Sequence, residues 1–254
     1  MNRPTFALTL ILIAVAAGSA RGDFTLLDDF NRPNSPTLGP NWTQQSGLIG
    51  VVNLGAVSQT GLQSDLATFD GRTAWAITMD VGPQATVETG GSYLAAVLGY
   101  KDLANNLFIK VQYSGLSGPG VFNSIAFGFG DNGSNNAAWS GATFAFLPAA
   151  RQFTSARITA ALVGTAALLL IDTDFDGVAD QVYTAYDVPV ARLGTGIGIG
   201  TFGNAQIRRF GIDVVSVPEP ASIVLMAIAG LALAGVGVRR QVVRRRQVTP
   251  TLVP

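Results

Sequence analysis

Hydrophobic and polar side chains alternate with a period of two through most of the chain between residues 24 and 216. In the run from 107 to 113, Leu107, Ile109 and Val111 share one face while Phe108 and Lys110 share the other, which predicts a strand with one face on a core. Similar runs cover residues 73–81, 93–100, 121–129, 156–163, 166–171, 182–188, 195–202 and 207–215. Turn clusters rich in Gly, Asn, Asp and Ser separate these runs. The pattern therefore predicts about ten to twelve short strands in one β-sandwich over residues 23–216.

The first 22 residues form a separate hydrophobic segment. Arg3 precedes an apolar run from Phe6 to Ala17, and the small residues Gly18 and Ala20 follow it. This order is typical of a secretory signal peptide, so residues 1–22 are predicted to be removed on export. The alternative is an uncleaved N-terminal anchor helix, which the shortness of the run disfavours.

A second apolar segment runs from Ala221 to Val238. As a helix it would extend about 27 Å, which just spans a hydrocarbon core of about 30 Å. By the positive-inside rule, the arginines that follow mark the cytoplasmic side of an inner membrane. We predict one transmembrane helix at 221–238, with a buried helix of a soluble domain as the alternative, and a short tail at 247–254. The arginines are Arg239, Arg240, Arg244, Arg245 and Arg246.

Composition excludes several classes of function. The 254 residues carry no net charge, but residues 23–217 contain nine Arg and Lys against fifteen Asp and Glu, or 9 − 15 = −6. An acidic middle without a basic stripe does not predict nucleic-acid binding. The sequence also has no His and no Cys, which excludes His-based triads, thiol nucleophiles and zinc sites built from these residues.

Residues 217–220, Val-Pro-Glu-Pro, stand directly before the second apolar segment and its arginines. This order, over residues 217–246, resembles the PEP-CTERM sorting signal of Gram-negative bacteria. The resemblance implies that Pro218, Glu219 and Pro220 are recognised by an exosortase, a membrane enzyme that cuts near the motif and releases or transfers the ectodomain. It also implies a transient stay in the inner membrane and a final place at the cell surface or in an extracellular polysaccharide matrix. The chain departs from the pattern because it continues for a further stretch, 241–254, beyond the first arginines.

The start of the predicted sandwich is distinctive. Residues 27–35 read LDDFNRPNS and are followed by Gly39, Pro40, Asn41 and Trp42. This segment resembles the opening of bacterial laminin-G-like or concanavalin-A-like jelly-roll domains. The resemblance implies a double-sheet sandwich over residues 24–216 whose first strand pairs with its last, near 210–215, and which binds a glycan or a protein. We expect Trp42 to be an anchor in the core or at a sheet edge, and a sugar-stacking platform is the alternative.

Four aspartates fall within nine residues in the segment 172–180, which matches D-x-D-x-D-G-x-x-D. Carboxylates at alternate positions with a glycine for the turn can surround Ca²⁺. The predicted ligands are Asp172, Asp174, Asp176 and Asp180, with the carbonyl of Val178. The twelfth position is Tyr183 instead of Glu and the flanks look like strands, so the segment is not an EF-hand. The alternative is an acidic hairpin turn in which Asp176 and Gly177 supply the positive φ angles.

The sequence gives little support to catalysis. It contains only two glutamates, Glu88 in a turn-like stretch and Glu219 in the sorting motif, whereas jelly-roll glycosidases need a carboxylate pair across the scissile bond. The glycines of 196–203 resemble a phosphate loop, but without a βαβ context they favour a strand in which backbones crowd. We therefore expect a non-catalytic binding or structural protein. The alternatives are a secreted carbohydrate-active enzyme and a permanently anchored envelope protein.

Overall fold

The computed structural model describes residues 24–60, 65–83, 92–113, 120–130, 139, 141–203 and 205–213. Two single turns of 3₁₀ helix, at Ala149–Arg151 and Val190–Arg192, accompany the strands. In chain order the strands are β1 (Thr25–Asp28), β2 (Trp42–Ser46), β3 (Ile49–Val51), β4 (Ala56–Ser58), β5 (Asp65–Thr73), β6 (Ala76–Pro83), β7 (Ser92–Asp102), β8 (Asn105–Tyr113), β9 (Ser124–Phe129), β10 (Phe144–Phe146), β11 (Ala156–Val163), β12 (Ala166–Asp172), β13 (Gln181–Ala185), β14 (Gly196–Phe202) and β15 (Ala205–Ile212).

The described strands form two antiparallel sheets. One sheet has eight strands in the order β13-β12-β11-β6-β15-β4-β3, with β1 also paired to β15. The other has seven strands in the order β10-β9-β8-β7-β14-β5-β2. Alternate residues of both sheets face a shared core, as in β8, where Leu107, Ile109 and Val111 are buried together in it. The prediction of an all-β jelly-roll sandwich is confirmed.

Six strands lie outside the predicted runs. Five of them, β1 to β4 and β10, have three to five residues each, too short for a period of two to stand out. The sixth, β5, has nine residues, and its buried part, Asp65–Phe69, shows no regular alternation of polar and apolar side chains.

Four predicted runs extend three residues beyond one end of their strand, and the runs 73–81 and 207–215 do so before Ala76 and after Ile212. The run at 121–129 begins as a ladder only at Ser124, because Phe122 forms an isolated bridge with Phe153. The run at 182–188 ends at Ala185, shortly before Asp187 takes a positive φ of 58° and turns the chain.

The first strand pairs with the last, as the resemblance implied. Thr25 is opposite Ile212 and Leu26 is opposite Gly211 in the antiparallel ladder of β1 and β15. The carboxylate of Asp28, at the end of β1, accepts hydrogen bonds from the backbone N–H of Phe30, from the Arg32 guanidinium and from the indole Nε1 of Trp42, the last at 2.8 Å. Trp42 is 7% exposed, which confirms that it anchors the core.

Strand β14 runs through the middle of the seven-stranded sheet, between β7 and β5. Ile197 and Ile199 face the core, while Gly196, Gly198 and Gly200 lie on the outer face. A Cβ on Gly198 would stand 2.2 Å from the carbonyl oxygen of Ala67. The prediction of a strand with crowded backbones, and not a phosphate loop, is therefore confirmed.

The chain divides into two units, Met1–Val215 and Ser216–Pro254. The predicted signal peptide, the sorting tripeptide, the apolar segment 221–238 and the arginine cluster lie outside the described residues. Within the parts of the chain that are described, no helix is long and apolar enough to cross a membrane.

Candidate functional site

The four aspartates lie in the hairpin loop that joins β12 to β13. Ile171 and Gln181 are the last register partners of the two strands, and the backbone N–H of Asp180 closes the loop by donating to the carbonyl of Ile171 at 2.8 Å. Both flanks are strands, so the segment is a hairpin and not an EF-hand, as expected. Positive φ angles occur at Phe175 (62°) and Gly177 (85°), so Phe175, and not Asp176, takes the second strained position.

Three carboxylates of the loop converge. Each of Asp172, Asp174 and Asp176 offers one oxygen within 4.8 Å of the others. The Asp172 carboxylate is buried and fixed, because it accepts the backbone N–H of Phe175 at 2.7 Å and that of Gly177 at 3.0 Å. Burial raises the pKa of Asp172, and the neighbouring Asp174 raises it further. The arrangement concentrates negative charge around one point, which a cation would offset.

Asp180 is not part of that convergent group. Its carboxylate accepts the backbone N–H of Thr173 at 2.8 Å and also the Thr173 hydroxyl, so it ties the two ends of the loop together. These hydrogen bonds lower the pKa of Asp180. Val178, whose carbonyl was predicted as a ligand, is 46% exposed, and its N–H donates to Asp176 at 2.7 Å.

A ladder of alternating charges starts at this loop and crosses the eight-stranded sheet. Arg157 is the register partner of both Asp172 and Asp80, and Arg209 is the next partner of Asp80. Arg157 Nε donates to Asp80 Oδ1 at 2.8 Å, and Arg209 Nη1 lies 3.4 Å from Asp80 Oδ2. Sequence reasoning missed this ladder because its members come from four strands that are far apart in the chain.

Two aromatic rings lie against the guanidinium groups of the ladder. Phe175 of the loop lies 5.8 Å from Arg157 Cζ. Phe24 lies 5.1 Å from Arg157 Cζ and 5.0 Å from Arg209 Cζ. Both arginine cations thus lie against aromatic rings and pair with Asp80, although the Arg209 side chain stays 44% exposed.

A second polar constellation lies on the outer face of the seven-stranded sheet. The Tyr100 hydroxyl on β7 donates to Gln45 Oε1 on β2 at 2.9 Å, and Gln45 Nε2 donates to Thr68 Oγ1 on β5 at 2.8 Å. The tyrosine side chain therefore reaches across β14, where Gly196 and Gly198 present no side chain. No local motif predicts this group, because Thr68 and Tyr100 lie 23 and 55 positions from Gln45 in the sequence.

An aromatic group borders this polar chain on the same face. Tyr93 stacks on Phe202 at 5.6 Å between ring centroids and meets Phe108 edge-on at 5.9 Å. Tyr93 and Phe108 are buried, while Phe202 and Tyr100 are half-buried. At the β10 edge of the sheet, Phe144 and Phe146 are 54% and 64% exposed. The face thus combines ring surfaces with paired hydroxyl and amide groups around a strand of glycines.

Comparison with known families supports the sorting signal. The model of the PEP-CTERM protein-sorting motif matches residues 216–241, which confirms the resemblance drawn from Pro218, Glu219 and Pro220. This motif marks proteins for export and implies processing by an exosortase-type membrane enzyme. No curated protein matches the chain.

Solved structures with similar folds include three bacterial or phage proteins. The CBM2 module of the evolved Dit protein of Lactobacillus casei BL23 phage J-1 is 14% identical, with a TM-score of 0.46 over 73% of this chain and 94% of that one. The module CBM66 from Bacillus subtilis is 11% identical, with a TM-score of 0.43 over 69% and 95%. The catalytic domain of an endo-1,3-β-glucanase (laminarinase) from Thermotoga petrophila RKU-1 is 10% identical, with a TM-score of 0.45 over 75% and 97%.

Proposed function

We propose that this chain is an exported cell-surface or matrix protein whose β-sandwich binds a polysaccharide without acting on it. The proposal rests on one observation above all: the outer face of the seven-stranded sheet places the Tyr100–Gln45–Thr68 chain beside a strand of glycines and a set of aromatic rings. Sugars are bound by ring surfaces that pack on C–H groups and by polar side chains that meet hydroxyls.

The glycines of β14 let neighbouring groups lie close over the strand, since a Cβ on Gly200 would stand 2.6 Å from the Phe108 ring. Gly198 lies opposite Thr68 on one side and Val97 on the other, so the polar group of Tyr100, Gln45 and Thr68 and the apolar side of the face lie next to each other. The Tyr100 side chain is held in place at both ends, by its strand and by Gln45. A surface that is already ordered loses little conformational entropy on binding.

The test measures retention of the protein on extracellular polysaccharides by affinity electrophoresis. Gln45→Ala removes the centre of the polar chain and Phe202→Ala removes a half-buried ring, and each is expected to weaken binding about tenfold or more. Asp187→Ala, on the loop after β13, is the matched control with unchanged retention. Equal retention of all four proteins would exclude this face as the binding surface.

We further propose that the hairpin loop binds calcium through Asp172, Asp174 and Asp176, the three predicted ligands that converge. Convergent carboxylate oxygens are the ligands that Ca²⁺ prefers, and an affinity of about 10⁻⁴–10⁻³ M is expected for an extracellular loop. Millimolar Ca²⁺ should raise the melting temperature of the protein, and Asp174→Asn combined with Asp176→Asn should abolish the rise. An equal rise in that double variant, or none in the parent, would contradict the calcium site.

Export is proposed to proceed through removal of residues 1–22, insertion of 221–238 in the inner membrane and exosortase processing near Pro218, Glu219 and Pro220. Mass spectrometry of the mature protein from wild-type cells tests this order. The expected result is a C-terminus near the motif. An intact Pro254 in every molecule would instead favour a permanently anchored envelope protein.

The absence of catalysis is part of the proposal, because Glu88 and Glu219 are the only glutamates and no His can serve as acid or base. Incubation with extracellular polysaccharides should release no reducing ends above the background of a heat-denatured sample. Release that a single Asp→Asn variant eliminates would establish the carbohydrate-active enzyme instead.

A further inference from the structure

A cavity of about 430 Å³ lies beside the end of β1 and the start of β2. Its lining includes Asp28, Asp29, Arg32, Gly39, Asn41 and Trp42. The volume falls within the range of about 300–1,000 Å³ that small-ligand sites occupy. None of these residues belongs to the Tyr100–Gln45–Thr68 group, to the hairpin loop of the aspartates or to the ladder of alternating charges.

One wall of the cavity is rigid. Asp28 accepts both ends of the Arg32 guanidinium, at 2.7 and 3.0 Å, together with the indole N–H of Trp42 and the backbone N–H of Phe30. Arg32 also donates to the carbonyl of Leu38. These bonds fix the guanidinium and the indole in one orientation, so the wall needs no rearrangement to receive a ligand.

Three side chains that line the cavity have hydrogen-bonding groups that no other described residue uses. A guanidinium has five N–H donors, and Arg32 uses three of them, for the two Asp28 oxygens and for Leu38. Asp29 Oδ1 accepts the backbone N–H of Asn31 at 3.0 Å, which leaves its other oxygen for an outside donor. Asn41 is exposed, and its amide group has no partner in the described part of the chain.

The charge and chemistry of the lining select the ligand. Asp28 neutralises Arg32, and Asp29 then gives the cavity a net charge of −1, which disfavours anionic ligands. A hydroxyl group can donate to Asp29 and accept from Arg32 at once, and adjacent hydroxyls can serve Asn41 as well. We propose that this cavity binds a neutral sugar unit, as a site separate from the sheet face. The proposal depends on the proposed function only in that both sites would bind the same class of ligand.

The test follows the indole N–H resonance of Trp42 in the full chain, held in a zwitterionic detergent without a sugar headgroup. The chain has three tryptophans, so the spectrum of Trp42→Phe assigns the signal. Glucose, galactose and mannose are titrated, with glucuronate as the charged counterpart. At least one neutral sugar should shift the Trp42 signal saturably at millimolar concentrations, and glucuronate should not.

Asp29→Asn and Asn41→Ala, both at exposed positions, should each weaken this response about tenfold or more. Gln45→Ala should leave it unchanged, because Gln45 lines the sheet face and not the cavity. A Trp42 signal that no sugar shifts, a shift that both cavity variants retain, or an equal response to glucuronate would overturn the proposal. Loss of polysaccharide retention in Gln45→Ala with no response at Trp42 would overturn the cavity alone, which separates its failure from that of the sheet face.

Discussion

Replacement of Asp28 by alanine tests how the first strand is fastened to the sandwich. The Asp28 side chain is 10% exposed and joins β1 to the following turn through Phe30 and Arg32, and to β2 through Trp42. The substitution removes the carboxylate that accepts all of these hydrogen bonds. It leaves the Trp42 indole N–H without its acceptor and Arg32 without its counter-ion, while Arg32 keeps its hydrogen bond to the Leu38 carbonyl.

The loss of stability depends on how far water can reach the Arg32 guanidinium and the Trp42 indole N–H after the substitution. A fully buried ion pair that loses one partner costs about 3–5 kcal/mol, but the Arg32 side chain is 33% exposed and can regain water. The indole N–H loses a hydrogen bond to a charged group, which is worth about 1.5–3 kcal/mol. Because such terms are not additive, we expect a loss of about 3 kcal/mol in the free energy of unfolding, or about 6–12 °C in the melting temperature.

Urea unfolding followed by near-ultraviolet circular dichroism measures this loss. Asp29→Ala is the matched control, since Asp29 is the adjacent exposed carboxylate and accepts only the backbone N–H of Asn31; it should change the free energy of unfolding by less than about 0.5 kcal/mol. Asp28→Asn keeps the shape but not the charge and should fall between the two. If Asp28→Ala costs no more than Asp29→Ala, the carboxylate does not fasten β1 and the reasoning is wrong.

Two further predictions concern the seven-stranded sheet. Gly198→Ala should destabilise the protein by about 1–3 kcal/mol in a urea titration, because its Cβ would collide with the backbone carbonyl of Ala67. Gly82→Ala is the control and should be nearly neutral, because its Cβ would meet only the end of the Arg208 side chain at 3.4 Å. Burial lowers the pKa of Lys110 to about 8 from an ordinary value of 10.5. The unfolded chain therefore holds this proton more tightly, so the free energy of unfolding should rise as the pH is raised from about 8 to 10.5. The rise should be at most about 3 kcal/mol before solvent screening reduces it. Lys110→Met should flatten this part of the stability–pH profile, and an unchanged slope in that variant would contradict the prediction.

The strands that could be predicted are those whose pattern is local. In β8 and β11 an alternation of seven or more residues decides which side chains face the core, whereas β12 is a continuous apolar run. The structure follows all three predicted runs within two residues at each end. The acidic hairpin was also predictable, because its aspartates and its glycine lie within nine consecutive positions. Local spacing is sufficient when all the interacting groups belong to one turn.

The constellations that could not be predicted are assembled by pairing between distant strands. Gln45, Thr68 and Tyr100 meet only because β2, β5, β14 and β7 lie side by side, and their sequence neighbourhoods give no sign of it. The same holds for Asp80 and Arg157, which are 77 positions apart. The register is set by the hydrophobic faces of the strands. Polar partners across a sheet therefore cannot be predicted until the strand order and register are known.

The two outer faces differ in a way that favours one of them for ligand binding. On the eight-stranded sheet, Asp80 accepts hydrogen bonds from both Arg157 and Arg209, and the ring of Phe24 lies against both guanidiniums. Charges that already neutralise one another gain little from a neutral ligand, since the ligand would have to replace bonds that exist. On the seven-stranded sheet, the neutral group of Tyr100, Gln45 and Thr68 lies beside the half-buried ring of Phe202. A sugar there would replace neutral hydrogen bonds and not an ion pair, which is the physical reason for proposing the binding surface on that sheet.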